Sequence, residues 1–163
     1  MLEITLKLTV NRFLYWNLFF LPWSKKSISN SSNYCLGCNT CQKNGGTCVY
    51  KDDVPEILEK MIKADVIVLA SPIYFYSIAG QMKTLIDRSY AKFNLLSNKE
   101  FYFILSCAAP YEEPYKDDLD IAINSFRGFI KCLPNAKEKG IIIGDNMASM
   151  EIEKQRHIKM LII

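Results

Sequence analysis

The sequence predicts an α/β protein built on a doubly wound parallel sheet, three layers deep, with helices on either side. Three observations carry this reading. Residues 64–70 (Ala-Asp-Val-Ile-Val-Leu-Ala) form a continuous apolar, β-branched run, which is how a strand buried on both faces reads. From residue 18 to residue 144, apolar runs of strand length alternate with helical patterns, the order expected of β-α-β units. At 163 residues the chain is one domain by length, large enough to bury most of its apolar surface.

Composition narrows the function classes. Half of the residues are hydrophobic and 23% are charged, as in ordinary globular proteins. The net charge of +3 is spread over scattered lysines, so no nucleic-acid surface is predicted. The longest apolar run, residues 13–23, contains Asn17 and Pro22 and is too short to span a bilayer. It resembles the apolar part of a leader, but Glu3 precedes it and no small-residue cleavage site follows. No membrane partner is expected, and a cytoplasmic location suits six cysteines kept reduced.

The elements follow in order. Leu2, Ile4, Leu6, Leu8 and Val10 alternate with polar residues like a strand with one wet face; Leu14, Tyr15 and Trp16 break the alternation and leave an amphipathic helix over residues 2–16 as the alternative. Residues 18–21 are a short buried strand ended by Pro22, and the Ser/Asn cluster at 27–33 is a loop. Asp53-Val-Pro-Glu56 starts a helix: Asp53 caps, Pro55 fits the first turn, and Glu56 completes a capping box. Ile57, Leu58, Met61 and Ile62 form its inner face. After the strand at 64–70, a helix at about 80–93 presents Met82, Leu85 and Ile86. Residues 101–107 are a strand. The next helix carries Leu119, Ala122, Ile123, Phe126, Ile130 and Leu133, and stops at Pro134. Residues 140–144 form the last strand. Cys132 reads as packing within the helical pattern, and His157, the single histidine, as part of a solvated charged tail.

Chemistry concentrates at residues 35–48, where Cys35, Cys38, Cys41 and Cys48 give the spacing C-x2-C-x2-C-x6-C. Gly37, Gly45 and Gly46 supply the positive-φ turns that bring the thiols back on one another. Four closely spaced thiolates of this kind hold iron–sulfur clusters. Zinc prefers paired knuckles, which the middle cysteine disrupts, and disulfides need an exported chain. The residues alone leave an iron–sulfur cluster, zinc or another metal, and redox-active or unoccupied thiols as the readings.

Ligands of a parallel sheet lie beyond the carboxyl ends of its strands. Three segments follow strand ends there: the cysteine loop, residues 71–77 and residues 107–110. Ser71, Pro72, Ile73, Tyr74 and Phe75 combine a stiffening proline with backbone amides and aromatics, a setting for a planar ring. Tyr74 and Phe75 read equally well as core or subunit-interface residues. No Ser/His/Asp set or carboxylate pair is present, so no catalytic residue is named. Asp52 and Asp53 read as helix caps.

The run from Ser71 to Phe75, continued by Gln81, Lys83 and Ile86-Asp87-Arg88, resembles the flavodoxin-like NAD(P)H-dependent FMN reductases. The cysteine run followed by Lys51-Asp52-Asp53 is similar to their iron–sulfur flavoprotein branch, as are Cys107, Phe126-Arg-Gly-Phe-Ile130, Leu133-Pro134 and Gly140. The resemblance covers roughly residues 17–145. It implies a flavodoxin-like fold and an oxidoreductase of the NAD(P)H-dependent FMN reductase type. FMN would lie against Ser71, Pro72, Ile73, Tyr74 and Phe75 and against Cys107, Ala108 and Ala109. A 4Fe-4S cluster would sit on Cys35, Cys38, Cys41 and Cys48. NAD(P)H or ferredoxin would be the electron donor, and a homodimer or homotetramer would bring flavin and cluster together across subunits.

The resemblance also marks a departure. Family members begin with a strand and a Gly/Ser-rich phosphate loop. Residues 1–16 contain no glycine or proline and only two threonines, so they form a divergent start that cannot build that nest. Residues 150–163 are a divergent tail. The expected fold is therefore a single domain over 1–163, incomplete at its N-terminal edge. The alternative function is a non-enzymatic, degenerate metal-binding module that keeps the cysteine loop and has lost FMN.

Overall fold

Among the described residues, each apolar run of strand length takes its place in a single sheet. The computed structural model describes residues 18–21, 32–147 and 157–161, the two short flanking segments by backbone alone. In chain order the elements are β1 (Leu18–Leu21), a single turn α1 (Thr40–Lys43), α2 (Val54–Lys63), β2 (Val66–Tyr74), β3 (Ser77–Ile78) and α3 (Gly80–Arg88). A 3-10 segment (Ser89–Leu96), β4 (Glu100–Ser106), α4 (Lys116–Lys131), β5 (Lys137–Asp145) and β6 (His157–Leu161) follow.

The strand order is β1-β2-β4-β5-β6, with β3 folded back on the end of β2. Strands β1, β2, β4 and β5 are parallel, and β6 is antiparallel to β5. The register pairs Pro72 with Ser106 and Ser106 with Gly144, so the carboxyl ends of β2, β4 and β5 share one edge. Because the order advances in one direction, right-handed crossovers put α2, α3 and α4 on the same face.

That face is the core. Alternation along β4 buries Phe101, Phe103 and Leu105 completely and leaves Tyr102, Ile104 and Ser106 half-buried. Phe103 stacks on Phe126 of α4 at 4.8 Å, and Phe101 meets Phe129 edge-on at 6.1 Å. Met61 of α2 and Met82 and Leu85 of α3 complete the apolar layer. At the far end of the sheet the buried Lys99 donates to the Ile62 and Ala64 carbonyls at 2.8 and 2.5 Å, capping α2 with a cation where its dipole is negative. Burial pushes this ammonium below its ordinary pKa.

Several expectations need correction. Residues 71–74 are strand rather than loop: Ser71 and Pro72 stay in register with Leu105 and Ser106 of β4. Described pairing with β1 ends at Leu69, so Pro72 lies where β2 has one parallel neighbour, a position that tolerates a missing N–H. The helix expected over 80–93 tightens after Arg88 into the 3-10 segment, whose first residue, Ser89, donates its hydroxyl to the Ile86 carbonyl at 2.6 Å. Asp53 makes no side-chain cap; Asp52 accepts the Val54 amide instead at 3.3 Å, and Glu56 pairs with Lys60. Cys132 is exposed past the end of α4, because the helix stops at Lys131 and turns the thiol outward. The backbone of His157 opens a strand paired with β5. The strand or helix expected over residues 2–16 lies outside the described residues. No described helix is long and apolar enough to cross a membrane.

Candidate functional site

The glycines do at the cysteine loop what their spacing requires. Gly37, Gly45 and Gly46 have φ of 65, 70 and 87°, and Asn39 joins them at 56°. Gly46 is further constrained, since a Cβ there would come within 2.9 Å of the Ala91 carbonyl oxygen. Between these turns α1 is held by the Asn44 amide on Thr40 O and the Gly46 amide on Cys41 O. As a result Cys35, Cys38, Cys41 and Cys48 line one pocket together with Tyr50, Arg88, Tyr90 and Ala91.

All four are free thiols, Cys35 and Cys38 exposed and Cys41 and Cys48 half-buried. The Cys35 sulfur accepts the Gly37 amide at 3.4 Å. Hydrogen bonds from the Thr40 hydroxyl and amide hold the Cys38 thiol below its ordinary pKa. Among the described residues, no three His, Cys, Asp or Glu side chains stand close enough together to hold a metal ion as placed. The match to a thiolate-bound metal or cluster is thus one of donor set and shared enclosure.

The loop is fastened by a feature that no local pattern announced. Arg88, in the last turn of α3, makes a two-pronged ion pair with Asp52 at 2.9 Å on each arm. The two side chains are only 2% and 1% exposed. Arg88 also donates to the Asn33 carbonyl at 2.6 Å and lies under the Tyr50 ring, 5.3 Å from its centroid. Burial alone would raise the pKa of Asp52, but the bonds from Arg88 and Asn33 outweigh it and hold the carboxyl down at about 2. Asp52 and Arg88 are 36 residues apart, so only an expectation that a buried charge needs a partner could have linked them.

The second group of expected residues gathers at the carboxyl edge. Ser71, Pro72 and Tyr74 line a shallow concavity with Ala70, Ile104 and Ser106. The buried Ser71 hydroxyl accepts the Ala79 amide at 2.9 Å and donates to the Pro72 carbonyl, locking the hairpin between β2 and β3. At its tip Phe75 and Tyr76 both have positive φ, 48 and 58°, a conformation bulky side chains rarely adopt. Phe75 is fully exposed, and Tyr74 and Tyr76 are exposed too. Ile73 is half-buried against the core and lies outside that concavity.

Cys107 is separate from this concavity. Its side chain is in the core, and its backbone joins β4 to β5 through the Gly144 carbonyl and the Met147 amide. Ala108 is exposed and Ala109 half-buried beside it. The structure therefore keeps two concavities apart, with the aromatic hairpin at the start of α3 and the cysteine pocket at its end. Nine helical residues span about 13 Å.

A sequence model of the NADPH-dependent FMN reductase family matches residues 26–112. The chain is 54% identical over 57 residues to an iron-sulfur flavoprotein of Methanocaldococcus jannaschii, covering 35% of this chain and 29% of that protein. It is 45% identical over 60 residues to an iron-sulfur flavoprotein of Archaeoglobus fulgidus, 37% of this chain and 27% of the relative. The matches thus span less than a third of these curated relatives' length. Among solved structures, an azoreductase superposes with a TM-score of 0.58 at 16% identity over 73% of this chain and 67% of its own. An NADPH-quinone reductase from P. pentosaceus gives 0.52 at 20% identity over 72% and 79%. At these identities the two structures speak for the fold.

Proposed function

Since the chain belongs to the NADPH-dependent FMN reductase family, we propose that it is a flavin-dependent oxidoreductase of the iron–sulfur flavoprotein kind. The observation that carries this reading is that all four cysteines of the motif line one pocket in a chain of that family. In the proposal Cys35, Cys38, Cys41 and Cys48 hold a 4Fe-4S cluster. FMN lies against Ser71, Pro72, Ile73, Tyr74 and Phe75 and the neighbouring Cys107, Ala108 and Ala109. Such a pair of groups would exchange a hydride's two electrons from NAD(P)H for single electrons, or accept single electrons from a ferredoxin.

The residues of this chain have definite tasks in that scheme. Thr40 donates to the Cys38 sulfur and favours its thiolate form, and the Gly37 amide donates to the Cys35 sulfur. Ser71 fixes the hairpin so that Tyr74 and Phe75 present aromatic faces at the sheet edge. Assembly as a homodimer or homotetramer belongs to the same proposal, since the two concavities lie apart on one subunit.

Anaerobic reconstitution with iron, sulfide and FMN tests the reading. The expected product is a yellow-brown protein with ~4 iron per chain, one flavin released on denaturation, and flavin bands that bleach on adding NADPH. A chain that stays colourless would overturn it. Light scattering in the same buffer reads the assembly.

A metal-binding module without flavin is the second reading. It is favoured by the lining of the Ser71 concavity, which among the described residues contains no cationic side chain to meet a phosphate. Metal bound without flavin in the same preparation would decide for it.

A further inference from the structure

We infer that Arg88 is the positioning residue of the four-cysteine pocket: its guanidinium holds the entering and leaving ends of the loop together and sets the charge behind the thiols. The inference rests on the reading of that pocket as a cluster site.

The geometry is specific. One guanidinium reaches the Asn33 carbonyl, two residues before Cys35, and both oxygens of Asp52, four residues after Cys48. The Asn33 amide adds its own bond to Asp52 at 2.9 Å, so the two ends of the loop meet on one carboxylate. An ammonium could not span these acceptors, whereas the planar fork of arginine can. Arg88 also lines the pocket itself, near enough for its charge to act on Cys48 and Cys35. Its Nε is buried and has no hydrogen-bond partner among the described residues.

A buried ion pair contributes little to stability that apolar residues of similar volume would not. Thiolate-bound clusters carry negative charge, and their potentials respond to net charge and to hydrogen bonds on sulfur. A guanidinium on the wall of this pocket, neutralised in part by Asp52, acts through the first of these, the net charge.

The test uses the full chain and the variants Arg88→Gln, Arg88→Lys and Asp52→Asn, each titrated with cobalt(II) and separately reconstituted with iron and sulfide. Losing the fork should weaken cobalt binding about ten- to hundredfold in Arg88→Gln and Arg88→Lys, the usual cost of an outer partner of a metal ligand. The reduction potential should fall in Arg88→Gln, which leaves Asp52 alone. It should rise in Asp52→Asn, which leaves the cation alone, and stay at the wild-type value in Arg88→Lys. Shifts of opposite sign in the two charge variants support the inference, because a purely structural role would move both the same way. Shifts of the same sign, or none, overturn it.

If Arg88→Gln does not fold, Asp52→Asn decides against Arg88→Lys: a raised potential beside an unchanged one supports the inference, and two equal values overturn it. A wild-type chain that shows cobalt–thiolate bands but builds no cluster defeats the cluster reading, while the cobalt affinities still judge Arg88. A wild-type chain that binds neither overturns both.

Discussion

The cysteine loop and the aromatic hairpin flank the same helix, yet they are held by different forces. Residues 35–48 contribute no buried side chain, and what fixes them is a set of left-handed turns and the buried pair of Arg88 and Asp52. The hairpin tip is equally exposed, but its stems run straight into the sheet, with Ser71, Ile78 and Ala79 buried. One region depends on charge and the other on packing and backbone pairing. The lesson is that charge and pH should move the thiols without moving the aromatics, and the following variants test that division.

The largest effect should come from the layer both regions share. Phe126→Ala removes a fully buried ring stacked on Phe103 and should cost about 3–5 kcal/mol. Urea unfolding should show the loss, with hydrogen exchange quickening at loop and hairpin alike. A loss confined to either one would mean that the core does not support both.

Next comes Arg88→Ala. Removing one member of a buried pair costs roughly 3 kcal/mol, because the other charge is left without its partner. Exchange should quicken across residues 33–52 and stay unchanged across 71–79; equal quickening in both would erase the contrast. The pH dependence has the same address. Asp52 titrates near 2 in the folded chain, below the unfolded carboxyl value of about 3.9. The unfolded state therefore takes up the proton first. The stability this group supplies is complete above about pH 4 and is lost as the pH falls toward 2, so the loop should loosen in that window before the hairpin does.

Ser71→Ala reverses the pattern. It strands the buried Ala79 amide and should cost about 1–2 kcal/mol, visible as faster exchange at Ala79 with the loop untouched. The smallest effect is a gain. Phe75→Gly relieves a positive φ and should stabilise the chain by about 0.5 kcal/mol in thermal unfolding, while flavin retention falls. A drop in stability would show that the exposed ring packs on something in solution.

Much of this molecule is written in short-range pattern. The strand at 18–21, the inner face of α2, the buried run inside β2, the alternation of β4 and the helical spacing of α4 all follow from which residues are apolar and how far apart they fall. The cysteine motif and its glycines likewise specify a thiol-lined turn, because spacing and positive φ are local properties. Where β2 ends was not legible: Ser71 and Pro72 read as loop until a neighbouring strand offers them partners. Nor were the roles of Asp52, Arg88 and Lys99, each set by a group more than thirty residues away. Local chemistry determined the elements and the thiol-lined loop. Only the tertiary structure decided which charges share a buried space, since a charge leaves water only where the fold supplies its partner.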